Sequence, residues 1–228
     1  MDGAGSAEAA VLRTRPEAPA LERVAAPGLA PLGLGRGRDG LIFTPARPGP
    51  DAALPLVVAF HGAGGTAAQM VDMLRPEAER CGVALLAPDS RAQTWDVIRG
   101  GYGPDVAFID RALRFVFERL PVDSGRIAVA GFSDGASYAL SLGLANGTLF
   151  GDVLAFSPGF MAPPSQAGSP RIFISHGDRD EVLPIASCSR RLAPALRQAG
   201  YDLDYREFAG GHAVPPEMIA LGLARFLA

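Results

Sequence analysis

Ser133, His212 and the carboxylates Asp178 and Asp180 are the residues whose types could do chemistry together. A serine hydroxyl is a weak nucleophile until a base takes its proton. That base needs a third group to orient it, and the substrate oxygen needs donors for the charge it develops. Ser133 stands in Gly131-Phe132-Ser133-Asp134-Gly135, after the apolar run 127–130 and before a stretch of small residues. This is G-x-S-x-G in a strand–turn–helix context, where a strained turn presents the hydroxyl and the glycines let strand and helix approach. A chain with 28 glycines can produce the five-residue pattern by accident, so its companions must decide.

Three further loops follow predicted strands, and in open parallel sheets reactive groups gather beyond the carboxyl ends of strands. The first is His61-Gly-Ala-Gly-Gly65, whose glycines let backbone N–H groups turn into a site. The Ala63 and Asp134 N–H groups are assigned there as oxyanion donors. The second is His176-Gly-Asp-Arg-Asp-Glu-Val-Leu-Pro184, with three carboxylates of which one can orient a base; bottom-up reasoning does not separate Asp178 from Asp180. The third is Gly210-Gly211-His212, a flexible glycine loop that gives the histidine little to pack against in a structural role. His61 and His176 each end a strand and precede a glycine, which suits side chains packed beside the site. His61 is also counted, with Trp95 of the 89–103 segment, among the substrate-binding candidates. The rival reading of Trp95 is an anchor that ties its loop to the core.

The elements that must position these groups alternate. Strands are predicted at 41–44, 54–60, 83–87, 127–130, 152–156, 171–175 and 202–208. Helices are predicted at 66–80, 104–120, after Ser133 to about 145, 186–198 and 215–227. Val106, Ile109, Leu113, Val116 and Leu120 share one helical face. Such alternation implies an α/β fold, a mainly parallel sheet with helices on both faces. Residues 1–30 are rich in Ala, Pro and Gly and read as a flexible or loosely docked leader, with one domain over 31–228. Asn146-Gly-Thr148 reads as a helix-ending turn.

Composition removes other classes. All 21 basic side chains are arginine, so Schiff-base, pyridoxal, P-loop and Ser-Lys chemistries lack their lysine. The abundance of Ala, Gly, Pro and Arg is that of GC-rich bacterial genomes. A net charge of −3 without a basic stripe argues against nucleic acid as a partner. No apolar run approaches the roughly 20 residues of a membrane span, so no stable membrane insertion is expected. The first residues lack the character of a secretory signal, and a cytoplasmic location is expected. Cys81 and Cys188 read as two unpaired thiols outside any metal-spaced cluster.

These four motifs, in this order and at comparable spacing, resemble the α/β-hydrolase superfamily from about Leu41 to the C-terminus. Within it the chain is similar to the phospholipase/carboxylesterase group and to polyhydroxybutyrate-depolymerase-like esterases. The resemblance implies a minimal α/β-hydrolase fold with no lid domain. It also implies a two-step acyl transfer needing no metal or organic cofactor. Ser133 would be the nucleophile, His212 the base, and Asp180, just before the apolar–proline element, the orienting acid. Family members often carry valine where this chain has Leu183. Only 13 residues separate the strand ending near Ser157 from the one starting at Arg171, too few for an inserted lid. An open site favours small-molecule esters, and the leading expectation is a carboxylesterase for short-chain or aryl esters. The alternatives are a thioesterase, lysophospholipase or polyester depolymerase using the same triad. A non-catalytic binding protein comes last, because every triad member is present.

Overall fold

The computed structural model describes residues 7–16, 25–46, 49 and 52–228. Its frame is one eight-stranded sheet. The strands are β1 (Gly28–Pro31), β2 (Gly40–Thr44), β3 (Leu54–Phe60), β4 (Ala84–Pro88), β5 (Val122–Phe132), β6 (Asp152–Phe156), β7 (Arg171–Gly177) and β8 (Leu203–Phe208). They lie in the order β1-β2-β4-β3-β5-β6-β7-β8. From β4 through β8 every pairing is parallel, while β1 and β2 are added antiparallel at one edge. The helices are α1 (Ala67–Cys81), α2 (Pro104–Phe117), α3 (Asp134–Ala145), α4 (Ser189–Gln198) and α5 (Pro216–Leu227).

The central strands are buried on both faces, which is why their sequences read as continuous apolar runs. Alternate residues still serve different layers. Leu56, Val58 and Phe60 of β3 join Ile127 and Val129 of β5 against α2, α3 and the Trp95 region. Val57 and Ala59, with Ala128 and Ala130, face α1 and α5 through Met70, Leu74, Ile219, Leu223 and Phe226.

Strand order places the site. The chain leaves β3 through α1 to β4 on one side, and leaves β5 through α3 to β6 on the other. Neighbouring strands whose connections diverge open a crevice at their carboxyl ends. That crevice lies between Phe60 and Phe132, the residues preceding the glycine loop and Ser133.

Several elements differ from expectation. β5 begins at Val122, five residues before the predicted strand, and β1 falls where the chain showed no strand pattern. All four β1 residues are exposed, so no face alternates, and pairing with β2 makes the strand. α2 ends at Phe117, three residues short of the predicted end. Within the stretch expected as a leader, segment 7–16 has Ala10 and Leu12 fully buried. The Asn146 side chain holds it by accepting from Leu12 N–H (2.8 Å) and donating to Ala10 C=O (2.9 Å). Residues 1–6 and 17–24 of that stretch lie outside the described residues. No helix among the described residues is long and apolar enough to cross a membrane.

Candidate active site

Ser133 occupies a turn that only its neighbours make possible. Its backbone sits at φ 58° and ψ −121°, a left-handed conformation that costs an ordinary L-residue energy. Two glycines permit it. A Cβ at Gly131 would lie 2.1 Å from Gly135 O, and one at Gly135 would lie 2.1 Å from Phe60 O. Ser133 N–H donates to Phe156 C=O (3.0 Å), which ties the turn to the end of β6.

His212 reaches Ser133 from the loop between β8 and α5. Its ring lies 4.7 Å from that of Phe132, and Ser133 Oγ–H donates to His212 Nε2 at 2.9 Å. On the other edge His212 Nδ1–H donates to Asp180 Oδ2 at 2.6 Å. The loops carrying acid and base are laced together, Asp178 N–H donating to Phe208 C=O and Arg179 N–H to Gly210 C=O (2.9 Å each). Gly177 is needed where they cross, since a Cβ there would lie 2.3 Å from Gly211 O.

Of the two rival aspartates, Asp180 meets the imidazole. Asp178 instead turns toward solvent, accepts Gly210 N–H (3.0 Å) and pairs with Arg179 (3.5 Å), so it braces the histidine loop. Asp180 is buried, and burial would raise its carboxyl. The bond from His212 and the N–H groups of Leu183 (2.8 Å) and Val182 (2.9 Å) outweigh burial and hold it below the ordinary carboxylate range.

The loop that carries Ala63 lies beside the start of α3, where a Cβ on Gly62 would fall 3.3 Å from Ser133 Cβ. Gly64 N–H donates to Gln93 C=O (2.7 Å) and Gly65 N–H to Gly62 C=O (3.0 Å), so both are occupied. Ala63 N–H makes no hydrogen bond within the described residues, and neither does Asp134 N–H. Asp134 is the first residue of α3, where such a donor has no intrahelical partner and the helix dipole favours negative charge. Its carboxylate accepts from Thr94 Oγ–H (2.6 Å), fixing the 89–103 loop to the start of that helix.

Of the two substrate-binding assignments Trp95 requires correction, whereas His61 lines a cavity beside the glycine loop. Trp95 is fully buried, its ring 4.8 Å from Tyr138 and 4.7 Å from Phe60, and its Nε1–H donates to His61 C=O (2.8 Å). It anchors the loop and has no surface left for a substrate. His61 is buried with both ring nitrogens in use. Nδ1–H donates to Gly62 C=O (2.7 Å), and Nε2 accepts from Ser90 N–H (3.0 Å) and faces the Arg38 guanidinium (3.2 Å). Burial first, and Arg38 in addition, lower its pKa and keep it neutral.

Two further residues support the site, Arg38 without any sequence signal and His176 with a partial one. Arg38 donates to Gly65 C=O (2.9 Å) and through Nε to Ser90 C=O, clamping the glycine loop from a connection far away in sequence. An arginine in a glycine-rich turn reads as solvated surface, so only long-range contact reveals it. His176 is fully buried and turns Nε2–H toward Leu183 C=O (2.8 Å) and Asp180 Oδ2 (3.2 Å), while Nδ1 accepts from Ser189 Oγ–H (2.7 Å). Burial lowers its pKa, so it meets Asp180 as a neutral donor. Its position before Gly177 was visible, but its contact with the carboxylate was not. Among the described residues no cluster of three His, Cys, Asp or Glu is arranged to hold a metal.

The chain is similar to known esterases. It is 29% identical over 157 residues to Feruloyl esterase C of Emericella nidulans, covering 65% of this chain and 57% of that one. It spans about half the length of the curated relatives it matches. Among solved structures, S-formylglutathione hydrolase (FrmB) from Staphylococcus aureus superposes with a TM-score of 0.71 at 14% identity, over 90% of this chain and 99% of that one. Esterase PE8 does so at 0.63 and 22% identity, over 84% of this chain and 99% of that one. At these identities the likeness is one of fold. Residues 107–227, just over half the chain, match the model of the phospholipase/carboxylesterase family, and the chain belongs to that family.

Proposed function

We propose that this protein is a serine carboxylesterase that hydrolyses short-chain or aryl carboxylic esters through an acyl-enzyme on Ser133. The observation that carries the reading is the unbroken hydrogen-bond line from Ser133 Oγ through His212 to Asp180, at 2.9 and 2.6 Å. His212 Nε2 takes the hydroxyl proton as Oγ attacks the ester carbonyl. Asp180 holds Nδ1–H in place and balances the imidazolium that forms. The carbonyl oxygen, now anionic, is received by the Ala63 and Asp134 N–H groups. His212 then protonates the departing alkoxide. A water, deprotonated by the same imidazole, cleaves the acyl-enzyme and restores Ser133.

Access supports a small substrate. The 158–170 connection carries no lid; Gly159 N–H and Ala162 N–H donate to Ser137 and Ser141 hydroxyls (2.9 Å each), which holds it against α3. Reaction with a fluorophosphonate probe tests the reading. The wild-type chain is expected to label stoichiometrically and Ser133→Ala not at all. A folded wild-type protein that neither labels nor turns over any ester would exclude it.

A further inference from the structure

With Trp95 fully buried, the wall that a substrate meets must be sought elsewhere. A cavity of about 310 Å³ opens between the glycine loop and α1. His61, Gly62 and Ala63 form one side, Met70 and Met73 of α1 another, and Phe132, the neighbour of Ser133, a third. It adjoins the reacting atoms. A Cβ built on Gly62 would lie 3.3 Å from Ser133 Cβ, and Phe132 rests against the His212 ring. An acyl carbon bonded to Ser133, with its oxygen at Ala63 N–H, would have a substituent directly at this opening.

The lining has a definite chemistry. Two thioethers and a phenyl ring favour flat aromatic groups, through sulfur–ring and ring–ring contacts. An apolar cavity of about 150 Å³ accommodates benzene, so this one has room for a substituted ring on a short linker. One polar group stands at the mouth. Gln69 Oε1 accepts Thr66 N–H (3.0 Å) in the capping box that starts α1. Its amide nitrogen therefore points away from that bond, and it makes no hydrogen bond within the described residues.

Building on the serine-esterase reading, we propose that this cavity holds one arm of the ester. That arm is an aryl-sized apolar group with a hydrogen-bond acceptor on its outer edge. Met70, Met73 and Phe132 set the permitted size, and the Gln69 amide donates to the acceptor.

Two substrate series test this, one with a fixed methyl leaving group and varied acyl arm, the other with a fixed acetyl group and varied alcohol. Each runs from methyl through hexyl and decyl chains to phenylpropyl and para-methoxyphenylpropyl arms, and the series in which the preference appears identifies the arm. In that series kcat/KM for the phenylpropyl arm is expected to exceed that for the smallest arm by roughly tenfold or more. Met73→Trp should cut that ratio roughly tenfold, and Met73→Ala should move the optimum to a larger arm. Gln69→Glu keeps an oxygen for Thr66 N–H but removes the donor, so the advantage of the methoxy-bearing arm should disappear. Ratios that none of the variants move, or a wild-type profile that keeps climbing to the decyl arm, would overturn the proposal. Fluorophosphonate labelling of each variant separates the two readings. Labelled enzyme with unmoved ratios rejects only the pocket, whereas a folded wild type that neither labels nor turns over any ester rejects the esterase itself.

Discussion

At the scale of single residues, the acid is where sequence and structure divide the work. Asp178 and Asp180 are two positions apart in one polar loop, and either could have faced the histidine. The turn after Gly177 sends one outward and buries the other beneath Leu183 and Val182 N–H, a result that the family resemblance implied but residue type and spacing alone did not decide. Asp180→Asn keeps the shape but presents an amide where Nδ1–H needs an acceptor. Turnover is expected to fall by about 10⁴. Asp178→Asn should be far milder, since an amide oxygen can still accept Gly210 N–H. Measuring kcat for the two variants on one ester checks the assignment, and the reverse ranking would refute it. Ser133 and His212 stood out as candidates, and the structure brings them together, because their residue types and settings leave few other uses. Trp95 was not, because a large aromatic ring after a strand serves a pocket or a core equally well, and burial alone decides.

At the scale of elements, the Ser133 turn depends on how closely β5, α3 and the end of β3 approach. Gly135 sits against Phe60 C=O with no room for a side-chain carbon. Gly135→Ala must push α3 away from β3, and such overpacking costs about 1–3 kcal/mol, or more where the obstacle is backbone. Urea unfolding should show that loss, together with a fall in the rate of fluorophosphonate labelling as Ser133 shifts from its donors. Normal stability would mean the turn is looser than its contacts indicate. Most strands and helices were legible because both-sided burial writes long apolar runs and amphipathic helices write a face. β1 was not, because an exposed edge strand takes its hydrogen bonds from β2 and leaves no alternation behind.

At the scale of the whole molecule, buried titratable groups tie stability to pH. Burial lowers the pKa of His61 and of His176, so the unfolded chain takes up their protons first as pH falls through the ordinary histidine value near 6.5. The stability they contribute is complete above that value and is lost as pH drops toward their folded values. The carboxyls of Asp96, Asp105 and Asp152 are raised by burial and act in the opposite sense, losing stability as pH climbs above 3.8. Between about pH 5 and 7 the histidine part of the unfolding free energy should therefore rise with pH, and His176→Asn should make the measured slope less positive, by one proton at most. An unchanged slope would show that His176 takes up its proton as readily in the folded protein as in the unfolded chain. The N-terminal segment belongs to the same body, with Leu12 in the main core and Asn146 holding it across more than half the chain.

The sequence alone determined the alternating α/β architecture, the serine and histidine proposed to react, and the glycine loops beside them. Each is written locally, as an apolar period, a residue type or a glycine that a turn demands. Tertiary structure decided which aspartate meets His212, that Arg38 clamps the glycine loop and His176 touches Asp180, and that Met70, Met73 and Phe132 rather than Trp95 line the cavity. These outcomes depend on the direction of a side chain relative to elements distant in the chain. Direction is fixed only when the strands pair and the crevice between β3 and β5 closes around it.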